Sequence, residues 1–169
     1  ITGGNPFFLT EVLSNEGKDQ TVPVSIADAV NARLNKLDTE QQHFIETLSC
    51  CPSQIPYETI KKMPLGDVPS LCDEAARKQI LVPAGANFKF RHELARLAAY
   101  GRMAPASKRE AHEMFLESLM SEGVSEDSVD VLVHHAQGAH RPDLILEYGP
   151  LAAKKAAQLG AHREAAQYL

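Results

Sequence analysis

Between Ile80 and Tyr100 the chain changes its period, and that change restricts its fold more than any other feature. Ile80-Leu-Val-Pro-Ala84 and Phe88-Lys-Phe-Arg91 are short apolar or alternating runs separated by Gly85-Ala-Asn87. Two such runs joined by a Gly/Asn turn predict a hairpin. In the second run Phe88 and Phe90 share one face, and Lys89 and Arg91 share the other. From His92-Glu93 onward the period is helical and puts Leu94, Leu97, Ala98 and Gly101 on one face. His92 is thereby held at a strand-to-helix junction, fixed by the backbone on both sides and suited to sensing a group at a defined place. Capping its helix or packing in the wing is the alternative reading.

The segments before the hairpin read as helices. Thr2-Gly-Gly-Asn-Pro6 is a turn in which Pro6 presets the first helical φ. Phe7, Phe8, Val12 and Leu13 then make a short amphipathic helix that ends before Gly17. Lys18-Asp-Gln-Thr-Val-Pro23 is a polar linker, after which Ser25 caps a helix carrying Ile26, Ala29, Val30, Leu34 and Leu37. Asp38-Thr-Glu starts a third helix, with Phe44, Ile45, Leu48 and Cys51 inward, closed by Pro52. Pro56 opens a short helix from Tyr57 to Met63. A fifth helix runs from about Val68 to Gln79, with Val68, Leu71, Cys72 and Ala75 inward. Helices, a two-stranded hairpin and one more helix are the layout of a winged-helix domain, expected over residues 18–104.

Beyond Met103-Ala-Pro105 the pattern is helical again. Ala111, Met114, Phe115 and Leu119 line a helix ending near Gly123, and Val129, Leu132, Val133 and Ala136 line the next. Pro142 to Leu159 reads as one alanine-rich helix, kinked at Gly149-Pro150 and stopped by Gly160. Leu159 to Tyr168, with small Ala153 and Ala165 where two helices would approach closely, resembles the junction of a tetratricopeptide unit. The fold class is therefore mainly α: a helix over 1–17, a winged-helix domain over 18–104, and helical hairpins over 105–169 leading into a tetratricopeptide-like solenoid. The opening Ile1-Thr-Gly-Gly and the closing Ala-Ala-Gln-Tyr-Leu169 both read as cuts through a longer protein.

Composition narrows the functions available. A hydrophobic share of 44% and a charged share of 23% are those of a globular chain. No apolar run approaches the roughly 18–20 residues that span a bilayer, and no signal peptide is apparent, so a cytoplasmic protein without membrane partners is expected. Three cysteines, two of them the adjacent Cys50-Cys51, favour reduced thiols acting as small core residues. The net charge of −5 opposes a broad nucleic-acid surface, and the would-be recognition helix sets Asp73 and Glu74 against Arg77 and Lys78. No phosphate loop, Gly-x-Ser-x-Gly elbow or Cys/His pairing is present, so no catalytic residue and no enzyme within this chain are expected. The histidines lack metal-ligand spacing: His134 and His135 are adjacent, His140 lies five residues on, and His112 and His162 stand alone. They read as surface or packing residues, with no metal site.

Three features in fixed order carry a family resemblance: Thr2-Gly-Gly-Asn-Pro-Phe-Phe-Leu-Thr-Glu-Val-Leu13, the winged-helix layout, and Phe90-Arg-His-Glu-Leu-Ala-Arg-Leu-Ala98. Together the chain resembles the segment after the ATPase core in signal-transducing NTPases with numerous domains. It looks most like the large ATP-binding LuxR-type bacterial transcriptional regulators. The resemblance implies that Gly4, Asn5 and Pro6 form the turn that sets a proline against adenine. It also implies that His92, within Arg91-His92-Glu93, points at the β-phosphate of ADP, as the histidine of a Met-His-Asp motif does. Arg91 and Glu93 depart from that motif, so the histidine carries over better than its neighbours. The expected role is a non-catalytic regulatory segment that couples the nucleotide state of an ATPase core to a helical sensor arm. Its partners would be that core, ATP or ADP held mainly by it, and an inducer or protein bound by the arm. A free-standing winged-helix DNA-binding module, and the same segment within a signalling cyclase or kinase, are the alternatives.

Overall fold

The computed structural model describes residues 31–158 and residue 161. The expected turn at Gly4, Asn5 and Pro6, the helix over Phe7–Leu13, the Ser25 cap, the Gly160 stop and the repeat junction up to Tyr168 lie outside the described residues. Residues 31–34 are helical and deliver Leu34 and Leu37 to the core. Asp38 then caps α1 (Thr39–Ser49) by accepting a hydrogen bond from the Gln41 backbone N–H at 2.8 Å. Its inward face is the expected one: Phe44, Ile45 and Leu48 are buried, and Cys50 and Cys51 follow them in.

The structure departs from the sequence expectation at Pro56. Instead of only opening a helix, it belongs with Ile55 to a two-residue strand, β1 (Ile55–Pro56), before α2 (Tyr57–Lys61). The sheet therefore has three strands, not two: β2 (Leu81–Ala84) and β3 (Asn87–Phe90) form the expected hairpin, and β1 pairs with the free side of β3. All pairings are antiparallel, in the order β1-β3-β2. Proline chemistry fits that order, since Pro56 and Pro83 both lie on edge strands and the central β3 has none. Gly85, at φ 66°, supplies the positive φ of the turn.

Between the strands, α3 (Val68–Arg77) buries Val68, Leu71, Cys72 and Ala75 as expected, capped by Asp67. After the sheet comes α4 (Glu93–Arg102). Its one buried residue is Ala99, with Ala95, Ala98 and Tyr100 packed beside it, whereas Leu97 is 44% exposed. Small Ala95 and Ala99 let α4 lie close against α1, so the helix settles with its alanines inward and Leu97 outward.

The remaining helices are α5 (Pro105–Glu122), α6 (Val129–Gly138) and α7 (Pro142–Gln158). One buried cluster runs from Leu34 through α1, α3 and the sheet to Ala111 and Phe115 of α5. A second begins at the next residue, Leu116, and continues through Leu132, Ala136, Ala139 and Leu144. Helix α7 carries Pro150 inside a continuous helix and buries Gly149, Ala152, Ala153 and Ala156. Lys155 ties it to α6 through Asp130 at 2.7 Å and to the turn before α6 through the Asp127 carbonyl at 2.8 Å. The described residues are thus mainly helical around one small antiparallel sheet. Among the described residues no helix is long and apolar enough to cross a membrane.

Candidate functional site

His92 stands where β3 passes into α4. The hydrogen bond from the Arg91 N–H to the Ile80 carbonyl, at 2.9 Å, pins the end of the strand. The His92 carbonyl accepts from Ala95 and Arg96, at 3.0 and 3.3 Å, and opens the helix. Its φ of −134° and ψ of 131° are those of an N-cap, yet its side chain makes no capping hydrogen bond. The imidazole is exposed. Fixed backbone and an uncommitted, outward ring are what the sensing reading requires. The partners expected for it, Gly4, Asn5 and Pro6, are outside the described residues.

Beside this junction lies an open groove of about 270 Å³, lined by Pro52, Ser53 and Gln54 on one side and by Lys89, Phe90, Glu93 and Arg96 on the other. Arg96 has its charge already engaged. Its Nε and Nη2 donate to Glu93, and Nη1 donates to the Ser49 carbonyl at 2.7 Å. The next carbonyl, of Cys50, accepts from His134 Nε2 on α6 at 2.9 Å. A carbonyl only accepts, so Nε2 carries a proton. The C-terminal end of α1 is thereby grasped from α4 on one side and from α6 on the other.

That second grasp leads to a group of residues that sequence reading kept apart. His112 does not stand alone: its ring centroid lies 5.1 Å from that of His135 and 5.5 Å from that of His134. One ring nitrogen from each of the three falls within 4.8 Å of the others. His112 Nδ1 and His135 Nδ1 are 3.0 Å apart, and His135 stacks on Phe115 with centroids at 4.2 Å and planes 11° apart. His112 and His135 are buried, at 2% and 0% exposure, and His134 is half-buried. Burial, then the proximity of His134, pushes the His112 pKa down to about 4. Burial holds His135 well below the ordinary range, and both neighbouring histidines add to that. Both rings are therefore neutral at physiological pH, and a single shared proton joins the two Nδ1 atoms. His135 Nε2 has no hydrogen-bond partner among the described residues.

No spacing rule could find this group, because His112 and His134 lie on successive helices and meet only when α5 packs on α6. Gly138 permits that approach: a side chain there would collide with the His112 ring. The one local signal is that His112 follows inward Ala111, and His134-His135 follow inward Val133. No protein-family model, curated protein or solved structure matches this chain.

Proposed function

We propose that this chain is a non-catalytic regulatory segment of an ATP-dependent, LuxR-type transcriptional regulator, in which His92 reports the nucleotide state of an ATPase core. The observation that carries the reading is the exposed His92 ring, held at a strand-to-helix junction and not used to cap its own helix. A neutral or protonated imidazole donates a hydrogen bond to a diphosphate and can take up positive charge beside it. In this reading α1–α4 with the hairpin act as the winged helix, and α5–α7 begin the sensor arm.

The grasp on α1 gives the signal a physical route. Arg96 sits one turn after His92 and holds Ser49, and the adjoining Cys50 carbonyl is held by His134 of the arm. A displacement of α4 by a docked nucleotide domain would be felt at α6 through two neighbouring carbonyls. Such contiguity makes coupling available, and a change in equilibrium at both ends is its proof.

The full-length regulator tests this. His92→Ala is expected to shed bound ADP faster and to raise activity without inducer, read by nucleotide retention on a desalting column and by in vitro transcription. Retention and basal activity equal to the wild type overturn the sensor role. The DNA-binding alternative is disfavoured at α3, where Lys78 is already bound to Glu74 at 2.8 Å and to Gln41 at 2.6 Å. That leaves Asp73 against Arg77 on the exposed face. DNA retention that falls steeply with salt would favour the alternative.

A further inference from the structure

We propose that His112, His134 and His135 form a three-imidazole site between α5 and α6 for a zinc-class divalent ion. Each residue offers a nitrogen, and the three atoms lie within 4.8 Å of one another. The His112 and His135 Nδ1 atoms are 3.0 Å apart. At the usual zinc–nitrogen length of about 2.05 Å they subtend about 94° at a common ion, and separation to about 3.3 Å reaches the tetrahedral angle. The third ligand nitrogen starts within 4.8 Å of the others, and a side-chain rotation of the half-buried His134 can bring it closer.

Chemistry supports the same placement. Imidazole nitrogens suit zinc, nickel and copper. His134 donates Nε2–H to the Cys50 carbonyl. That is the outer hydrogen bond that fixes the tautomer of a ligating histidine and leaves Nδ1 as its lone pair. Without an ion the two buried rings meet nitrogen to nitrogen, with one proton between their Nδ1 atoms. Binding moves that shared proton from one Nδ1 to the Nε2 of the same ring, so both Nδ1 lone pairs face the ion and no proton is released. Three protein ligands leave a fourth position on the half-buried His134 side for water or an exogenous ligand. None of its ligands belongs to the His92 junction, and although His134 also holds the Cys50 carbonyl on the route proposed above, zinc binding by this chain tests the site apart from any nucleotide role.

The 169-residue chain, stripped with chelator, is titrated with Zn²⁺ alone by calorimetry, and with Co²⁺ by visible absorption. One ion per chain is expected, with the intense d–d bands of a four- or five-coordinate nitrogen site. His134→Gln can still donate to the Cys50 carbonyl, so it keeps the fold while removing a ligand, and it is expected to weaken Zn²⁺ at least tenfold. Its circular dichroism without metal should match the wild type. His112→Gln is the second variant, and ¹⁵N imidazole spectra of the wild type identify the ligating nitrogens directly. No binding at micromolar Zn²⁺ overturns the proposal. So does binding that is unchanged in His134→Gln, or zinc-induced shifts confined to other histidines.

Discussion

Gln79 and His140 hold left-handed backbone, at φ 58° and 56°, each just past the end of a helix. In both places the following N–H reaches back into the helix, Ile80 to Ala75 and Arg141 to Ala136, each at 2.9 Å. That is the helix stop usually filled by glycine, because a Cβ costs about 1 kcal/mol or more in this conformation. Gln79→Gly should therefore stabilise the chain by up to about 1 kcal/mol, a rise of about 2–4 °C in Tm by differential scanning calorimetry. A loss of stability would mean that the Gln79 side chain does more than tolerate its backbone. The buried histidines make a second prediction. The His112 pKa falls from 6.5 to about 4 on folding. The unfolded chain then binds more protons between those values, and stability rises with pH across that window. It is fully present above about pH 6.5 and is lost as pH falls toward 4. His135 adds to it with the same sign. In chelator, denaturant titrations of His112→Gln between pH 7 and 4 should show a shallower decline than the wild type. Parallel curves would show that the ring is solvated.

At the scale of elements, the helices were legible because each is written locally. Asp38 announces α1, its apolar spacing selects the face, and α3, α5 and α6 follow the same logic. Strand β1 was not legible, because two residues carry no period and Ile55 becomes a strand only by pairing with Phe88, far along the chain. Which α4 residues turn inward is also decided at a distance. Leucine spacing favours one side, but close approach to α1 selects the alanines. The histidine cluster was invisible because it exists only between two helices. Strand β1 is small but deeply set: Ile55 is 0% exposed. Ile55→Ala should cost about 2–4 kcal/mol by urea denaturation, through lost burial and the void it leaves. It should also speed amide exchange in β3. A cost below about 1 kcal/mol would mean that the sheet closes over the gap.

Across the whole molecule, α5 is a shared wall. Phe115 belongs to the cluster that spans α1, α3 and the sheet, and Leu116 belongs to the one beneath α6 and α7. Ser118 adds a hydrogen bond from α5 to the Thr59 carbonyl at 2.8 Å. The described residues should therefore unfold in one cooperative transition, with far-ultraviolet dichroism and tyrosine fluorescence coinciding. Phe115→Ala, at about 3–5 kcal/mol, should lower amide protection in both α1 and α6. Two separated transitions would show that the wall divides the chain instead of joining it. The thiols offer a way to time such openings. Cys50, Cys51 and Cys72 are free and buried, and burial pushes Cys50 up to about 12 and Cys72 up to about 11. Thiolate is the reactive form, so an alkylating reagent meets an inert protein until the chain opens around each sulfur. Cys50 and Cys51 sit at the α1 end held by Arg96 and His134, and Cys72 sits on α3. Their alkylation rates, separated by mass spectrometry, would make the molecule its own stopwatch, with one hand on the α4–α1–α6 joint and the other on α3.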